Sequence, residues 1–542
     1  MWYISPVLGL FLAASAVLAT NDPIIKLGYT SLRGNATLPN VHFFGGIPYV
    51  RPPVGDLRFR APVRLDETPK SNPPVLDLRN WGPICIQQPA VIGIGYEDCL
   101  TLNIWKPPNA TASSKLPVVL YIHGGGHYYN SAQGFPMNDW VTTSNGSIVA
   151  VSLQYRLGLL GFLASSQPSF ISSEGGVLNN GLLDQREALA WIQRNIAKFG
   201  GDPQRVTIAG ESSGGADVVF HMTAYGGNQS LFRGVIAQSI GTDPTYNTTE
   251  YEACYQGVLA HTGCTNLSCL RTASLSTLVA AVNLRGTCRY GPVVDGAMVP
   301  DYPSRLITSP AKFNEVTKHV TGFMGGQCTD DGAIFVGNPA TFQENETGFV
   351  AAIKARYYKL SNSTVEKMIE LYPASEFSSQ WERAKVAFGD TVFTCQDYTI
   401  AQAYTAAGKS QAAYNYRFNT PDPVQLAANP WKGVMHTSDL YFLFDGTNSG
   451  PSSANALGVF HAFNATEAPL AQETVSAWIA FAKSLDPSPA LQWTPAGVNG
   501  TRWVFQEGGV GSTMTASFVE GVTAAHAERC AFWAGVSGET GI

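Results

Sequence analysis

The chain is short of charge: of its 542 residues only 14% are Asp, Glu, Lys or Arg. Disordered chains are apolar-poor and charge-rich, so a sequence that is 45% hydrophobic is not of that class. A basic excess is also missing. Lys and Arg total 34 against 40 Asp and Glu, a formal net charge of −6, and no basic patch stands out. That argues against a nucleic-acid partner. Paired Cys-x2-Cys and other zinc spacings are absent, as are fixed-period repeats, low-complexity tracts and long linkers. No segment after residue 19 is long and apolar enough to span a bilayer. Neither a metal, a cofactor nor a stable membrane anchor is therefore expected. At this length the chain has the makings of an enzyme-sized globular protein, as one large α/β domain or several smaller ones.

What is present starts at the N-terminus. Trp2 to Ala19 is an apolar stretch ending Ala16-Val17-Leu18-Ala19, which fits the small-residue cleavage pattern of a secretory signal peptide. No Lys or Arg precedes it, and an uncut run of this length could just span a bilayer as an anchor. The cleavage-like ending favours a signal peptide over residues 1–19 and a mature chain over 20–542. Asn-x-Ser/Thr sequons at Asn35, Asn109, Asn145, Asn228, Asn247, Asn266, Asn345, Asn362, Asn464 and Asn499 suit a secreted, extracellular glycoprotein. Nine Cys in an exported chain imply disulfides, with at least one thiol left over.

Buried-strand patterns alternate with helical ones. Pro117 to Ile122 and Ile148 to Leu153 are apolar runs of strand length, and Arg205 to Ala209 and Gly234 to Gln238 are shorter strands. Leu183 to Phe199 carries apolar residues at helical spacing and ends at Gly200-Gly201, a C-cap signal; Gly214 to Tyr225 is a second helix. This alternation predicts a mostly parallel sheet with helices on both faces. The region from about 340 to 430 reads as a helical insertion or cap, and one large domain is preferred.

Gly210-Glu211-Ser212-Ser213-Gly214 matches G-x-S-x-G between a predicted strand and a predicted helix. Such a turn strains the serine, demands small neighbours, and sets the hydroxyl at a helix N-terminus where negative charge is favoured. His123-Gly124-Gly125-Gly126-His127 follows the strand ending at Ile122. Its glycines allow backbone amides to approach a substrate, so Gly125, Gly126 and Ser213 are the expected oxyanion donors. The His-x3-His spacing is no metal pair, because three glycines would not hold a helix between them. A serine nucleophile needs an acid and then a histidine further along the chain. His221 lies too close to the serine, inside the following helix, and His319 falls in a strand-like run. The residues alone leave His436, His461 and His526 open.

Taken together, these segments resemble the type-B carboxylesterases of the cholinesterase/lipase superfamily, in particular secreted fungal members. The resemblance is carried by Phe44 to Tyr49, Pro52 to Phe59, Glu97-Asp98-Cys99-Leu100-Thr101-Leu102-Asn103-Ile104-Trp105, Tyr155-Arg156-Leu157-Gly158, Asn180 to Gln185 and Phe199 to Pro203, besides the two glycine motifs. It implies an α/β-hydrolase fold and a triad of Ser212, Asp331 and His436. Many relatives carry Glu at the position of Asp331. The shorter Asp requires a closer loop, and Asp330 is the fallback. Glu211 and Asp439 resemble a supporting acidic pair, and Ser213 replaces a more usual Ala while keeping its amide. The resemblance also pairs Cys85 with Cys99 and Cys264 with Cys269, leaving Cys254, Cys288, Cys328, Cys395 and Cys530 unassigned.

Only residues 86–98 lie inside the first disulfide loop, and none is Trp. That predicts no large lid, weak interfacial activation and no choline preference. Tyr128 and Tyr129 are expected either to line the acyl pocket or to pack as ordinary core aromatics. The expected activity is hydrolysis of neutral carboxylic esters, small or lipid-like, by a serine acyl-enzyme. The rivals are a triacylglycerol or sterol-ester lipase and a non-catalytic binding protein on the same fold.

Overall fold

The computed structural model describes residues 22–91, 93–241, 243–283, 288–409, 412–444, 463–496 and 500–542. The expected signal segment, Asn499 and His461 lie outside the described residues. Two sheets organise the rest. The smaller contains β1 (Ile24–Lys26), β2 (Ser31–Arg33) and β4 (Val75–Asp77) in the order β1-β2-β4. The larger has ten strands. Its first five in the chain are β3 (His42–Pro48), β5 (Thr101–Lys106), β6 (Leu116–Ile122), β7 (Val149–Leu153) and β8 (Gly201–Glu211). The others are β9 (Gly234–Gln238), β10 (Gly322–Cys328), β11 (Ala413–Phe418), β12 (Thr501–Phe505) and β13 (Phe518–Gly521).

The large sheet runs β13-β12-β11-β10-β9-β8-β6-β7-β5-β3. Strands from β7 across to β12 pair in parallel, and antiparallel pairs close both edges. Both faces are covered, and β6 shows why its sequence reads as one unbroken apolar run. Val118, Leu120 and Ile122 enter one core cluster with Leu182, Leu189 and Ile192 of the helix Asn180–Asn195. Val119 and Tyr121 point into a second cluster with Trp140 and with Trp478 of the helix Glu467–Ser484. A strand buried on both faces needs apolar residues at every position rather than at alternate ones.

Two readings need correcting. The 340–430 region contains the helices Glu346–Lys354, Asn362–Leu371, Gln380–Gly389 and Cys395–Ala406, but β11, a strand of the main sheet, interrupts it before the helix Pro423–Ala428. His319 lies in a turn between the helix Pro310–Val316 and β10, because the continuously buried run starts only at Gly322. Disulfides join Cys85 to Cys99, Cys254 to Cys288, Cys264 to Cys269 and Cys395 to Cys530, and Cys328 is a buried thiol. Among the described residues no helix is long and apolar enough to cross a membrane.

Candidate active site

The sheet delivers its reactive groups from the carboxyl ends of neighbouring parallel strands, where open α/β sheets hold their ligands. β8 ends at Glu211, and Ser212 is forced to φ +59° before the helix Ser213–Thr223 begins. This strain is possible only with glycine neighbours. A Cβ on Gly214 would sit 2.2 Å from the Ile122 carbonyl oxygen, and one on Gly210 2.4 Å from that of Gly214. Ser212 is held by its own amide, which donates to the Gln238 carbonyl at 3.0 Å.

His436 follows β11 on a loop and points its Nε2 at Ser212 Oγ, 2.8 Å away. Its Nδ1 lies 2.7 Å from Asp331 Oδ1. The other Asp331 oxygen accepts the Cys328 amide at 2.9 Å and the Ser239 hydroxyl at 3.0 Å, which fixes the carboxylate plane. Asp330, the fallback acid, does something different. Its carboxylate takes Lys385 Nζ at 2.6 Å and the Val434 amide at 2.9 Å, and its own amide donates to the Val434 carbonyl at 2.9 Å. The loop of Asp331 and the loop of His436 are thereby stapled together. This supplies the close approach that the shorter Asp side chain requires.

Glu211 and Asp439 occupy different layers. Glu211 Oε1 is 3.2 Å from His436 Nε2, on the serine side of the ring. Asp439 sits further back on the helix Ser438–Leu443, accepting from Gln238 Nε2 at 2.8 Å and from the Tyr416 hydroxyl at 3.2 Å. Burial pushes the Glu211 carboxyl well above the usual carboxylate range. Burial alone would lower the His436 pKa, but the carboxylates of Glu211, Asp331 and Asp439 outweigh it and raise it. The group therefore favours a proton on the imidazole whenever negative charge stays near it.

The glycine loop after β6 turns at Gly125 (φ +107°) and Gly126 (φ +65°), and a Cβ at Gly125 would lie 2.1 Å from the Tyr129 carbonyl oxygen. The loop is anchored from below by contacts the sequence did not reveal. His127, itself at φ +66°, donates its amide to Ser213 Oγ at 3.2 Å. Its Nε2 meets Asp217 Oδ1 at 2.9 Å, and Gln185 Nε2 donates to the other Asp217 oxygen at 2.6 Å. Ser213 and Asp217 stand one turn apart on the helix after the nucleophile, a spacing that places both on the loop side. His123 is buried and pushed down to about 4, chiefly by desolvation, so it is a neutral packing residue at pH 7. Its carbonyl accepts from the Tyr155 hydroxyl at 2.8 Å.

A cavity of about 290 Å³ opens on Ser212 and His436. Phe335 and Phe393 flank the imidazole, their ring centroids 5.3 and 4.6 Å from it. Phe393 comes from a π-helical turn, Asp390–Thr394, and fills the space a side chain on Gly241 would need. Tyr128 and Tyr129 both line the cavity. His526, left open by the sequence, lies 3.5 Å from Asp390 Oδ1 on the helix Ala524–Gly535. Among the described residues one group of His, Cys, Asp or Glu side chains is close enough to hold a metal ion, namely Cys395, His526 and Cys530, and its two sulfurs form a disulfide.

A mostly parallel sheet, a strained serine between strand and helix, and loops converging from the strand ends define an α/β-hydrolase. The chain belongs to the carboxylesterase family, whose model matches residues 21–517, and it is a carboxylic ester hydrolase. It is 31% identical to the para-nitrobenzyl esterase of Bacillus subtilis over 87% of this chain and 92% of that one. It is 30% identical to a secreted lipase of Arthroderma benhamiae, covering 88% of this chain and 86% of the lipase. The crystal structure of Aspergillus niger EstA superposes with a TM-score of 0.83 at 30% identity, over 96% of this chain and 99% of that one.

Proposed function

We propose that the protein is a secreted serine carboxylesterase, one catalytic domain over residues 20–542, acting on neutral carboxylic esters. The observation that carries this reading is the hydrogen-bonded line from Ser212 Oγ through His436 to Asp331 at the mouth of the cavity. His436 takes the serine proton as Oγ attacks the ester carbonyl, and Asp331 holds the imidazole and stabilises its charged form. The amides of Gly125, Gly126 and Ser213 receive the developing oxyanion. His436 then protonates the leaving alcohol, and water repeats the sequence on the acyl-enzyme. Glu211, 3.2 Å from Nε2, is pushed towards its neutral form by burial, and its charged form is favoured when the imidazolium forms beside it. Ser212→Ala is expected to abolish labelling by a fluorophosphonate probe. It should also lower turnover of p-nitrophenyl butanoate by at least about 10⁴-fold. Full turnover in that variant overturns the mechanism.

Secretion is supported by the Trp2–Ala19 segment and by relatives that carry the name secreted lipase. Dispersed esters are preferred as substrates, because the Cys85–Cys99 loop is short for a lid. A lipase reading has one observation in its favour. Val91, Ile94 and Tyr96 on that loop are exposed, as are Tyr129 and Phe335, which line the cavity, and exposed apolar groups of this kind suit a lipid interface. Rate against tributyrin concentration separates the two. Smooth saturation supports the esterase, and a jump at the solubility limit supports the lipase.

A further inference from the structure

Most of the cavity is apolar, but one wall is not. Asp243 and Arg356 face it from two separate parts of the chain, with side chains only 21% and 16% exposed. Asp243 lies just after Gly241, whose amide donates to the Ser212 carbonyl at 3.1 Å, so this wall begins close to the reacting serine. The Asp243 carboxylate is oriented from one side: the Tyr128 hydroxyl donates to Oδ2 at 2.6 Å, and the Tyr290 amide donates to that hydroxyl at 3.1 Å. On the other side, Arg356 Nη1 is 3.5 Å from Oδ1. That is an ion pair, but longer than a good hydrogen bond. The guanidinium is steadied over the Phe388 ring, 5.6 Å from its centroid.

We propose that the Asp243–Arg356 wall is a subsite for a hydroxyl group of the substrate. Esters carrying a hydroxyl on the part that reaches it are hydrolysed in preference to plain alkyl esters of equal length. The inference rests on the esterase reading above and names its substrate class. A hydroxyl both donates and accepts, so it can donate to the Asp243 carboxylate and accept from the Arg356 guanidinium at the same time. A carboxylate would be drawn to Arg356 but repelled by Asp243, and an ammonium would meet the opposite conflict. A methyl group would displace water from both charges without replacing its hydrogen bonds, which is costly in a partly closed site.

The test compares kcat/KM within two matched pairs. The acyl pair is p-nitrophenyl 3-hydroxybutanoate against p-nitrophenyl butanoate. The alcohol pair is glyceryl 1-monobutanoate against propyl butanoate. The wild-type enzyme is expected to favour the hydroxylated ester about tenfold in one pair, since a hydrogen bond to a charged group is worth that much or more. The pair that responds tells which half of the ester reaches the wall. In Asp243→Ala, or in Arg356→Met, the ratio should fall to about one, and either variant suffices if the other does not fold. No preference in either pair overturns the proposal, as does a preference that survives in both variants. The esterase reading fails separately, through absence of all turnover and of fluorophosphonate labelling in the wild type.

Discussion

Two neighbours of the serine shape its chemistry in opposite ways. The Glu211 carboxyl, itself pushed up by burial, lies beside His436 Nε2, and in its charged form it raises the imidazole pKa together with Asp331 and Asp439, against burial. His436 must be neutral to act as base, so kcat/KM is lost as the pH falls through that raised pKa. Removing the Glu211 charge lowers the pKa. In Glu211→Gln the acid limb of the pH–rate profile should therefore move to lower pH, by about one unit. The plateau kcat should drop as well, because the imidazolium has lost a partner. A profile that stays in place, or moves up, contradicts this role. Ser213 acts through its hydroxyl as well as its amide. Ser213→Ala keeps the amide but leaves the buried His127 N–H without its acceptor, a cost of about 1–3 kcal/mol. The expected result is a kcat about tenfold lower with little change in KM, because only the placement of the oxyanion donors is disturbed. An equal rise in KM would point to a substrate-binding role instead.

Among the elements, the turn between β8 and its helix and the clamp on the helical insertion are the ones that can be broken singly. Gly214→Ala places a methyl group 2.2 Å from the Ile122 carbonyl oxygen, a clash that neither β6 nor the helix Ser213–Thr223 can yield to. Loss of soluble protein or of nearly all activity is expected. The Cys395–Cys530 disulfide ties the insertion to the helix Ala524–Gly535 across 135 residues of chain. By loop closure alone it stabilises the fold by about 4–5 kcal/mol, so Cys395→Ser with Cys530→Ser should lower the Tm by several degrees. An unchanged Tm would show that the core helices hold the clamp unaided. This is also the scale at which legibility divides. Strands β6, β7 and β9 announce themselves as apolar runs because they are buried on both faces. β11 does not, because Ala413-Tyr414-Asn415-Tyr416-Arg417-Phe418 mixes in polar groups that only the fold satisfies. Asn415 Nδ2, for instance, donates to the Gly325 carbonyl at 3.3 Å. Ser212 sits in a local motif that can be read by itself, whereas Asp331 and His436 are reached only through the family resemblance. His127 with Asp217, and Cys395 with Cys530, are partners across 90 and 135 residues, and no local pattern links them. Phe393 escaped notice for a related reason: its importance comes from a π-helical turn that re-aims it.

For the whole molecule, the reading as an exported glycoprotein can be checked directly. The mature chain is expected to begin at Thr20, which N-terminal sequencing or intact-mass measurement will show. The described sequon asparagines are all exposed or half-buried. Asn345 spends its Oδ1 on capping the helix Glu346–Lys354, accepting from Gly348 at 2.9 Å, and leaves the Nδ2 that a glycan would use. Treatment with an endoglycosidase should lower the apparent mass in steps. A single unshifted band would mean that export, if it occurs, proceeds without N-glycans.

The cavity draws on two sources that the disulfide clamp keeps apart in the chain. Ser212, Asp331 and His436 stand on turns and loops that follow sheet strands, while Phe335, Arg356 and Phe393 arrive on the stretch that Cys395 anchors. Substitutions on the clamped stretch would therefore reshape the cavity wall while leaving the turns and loops that carry Ser212, Asp331 and His436 in place.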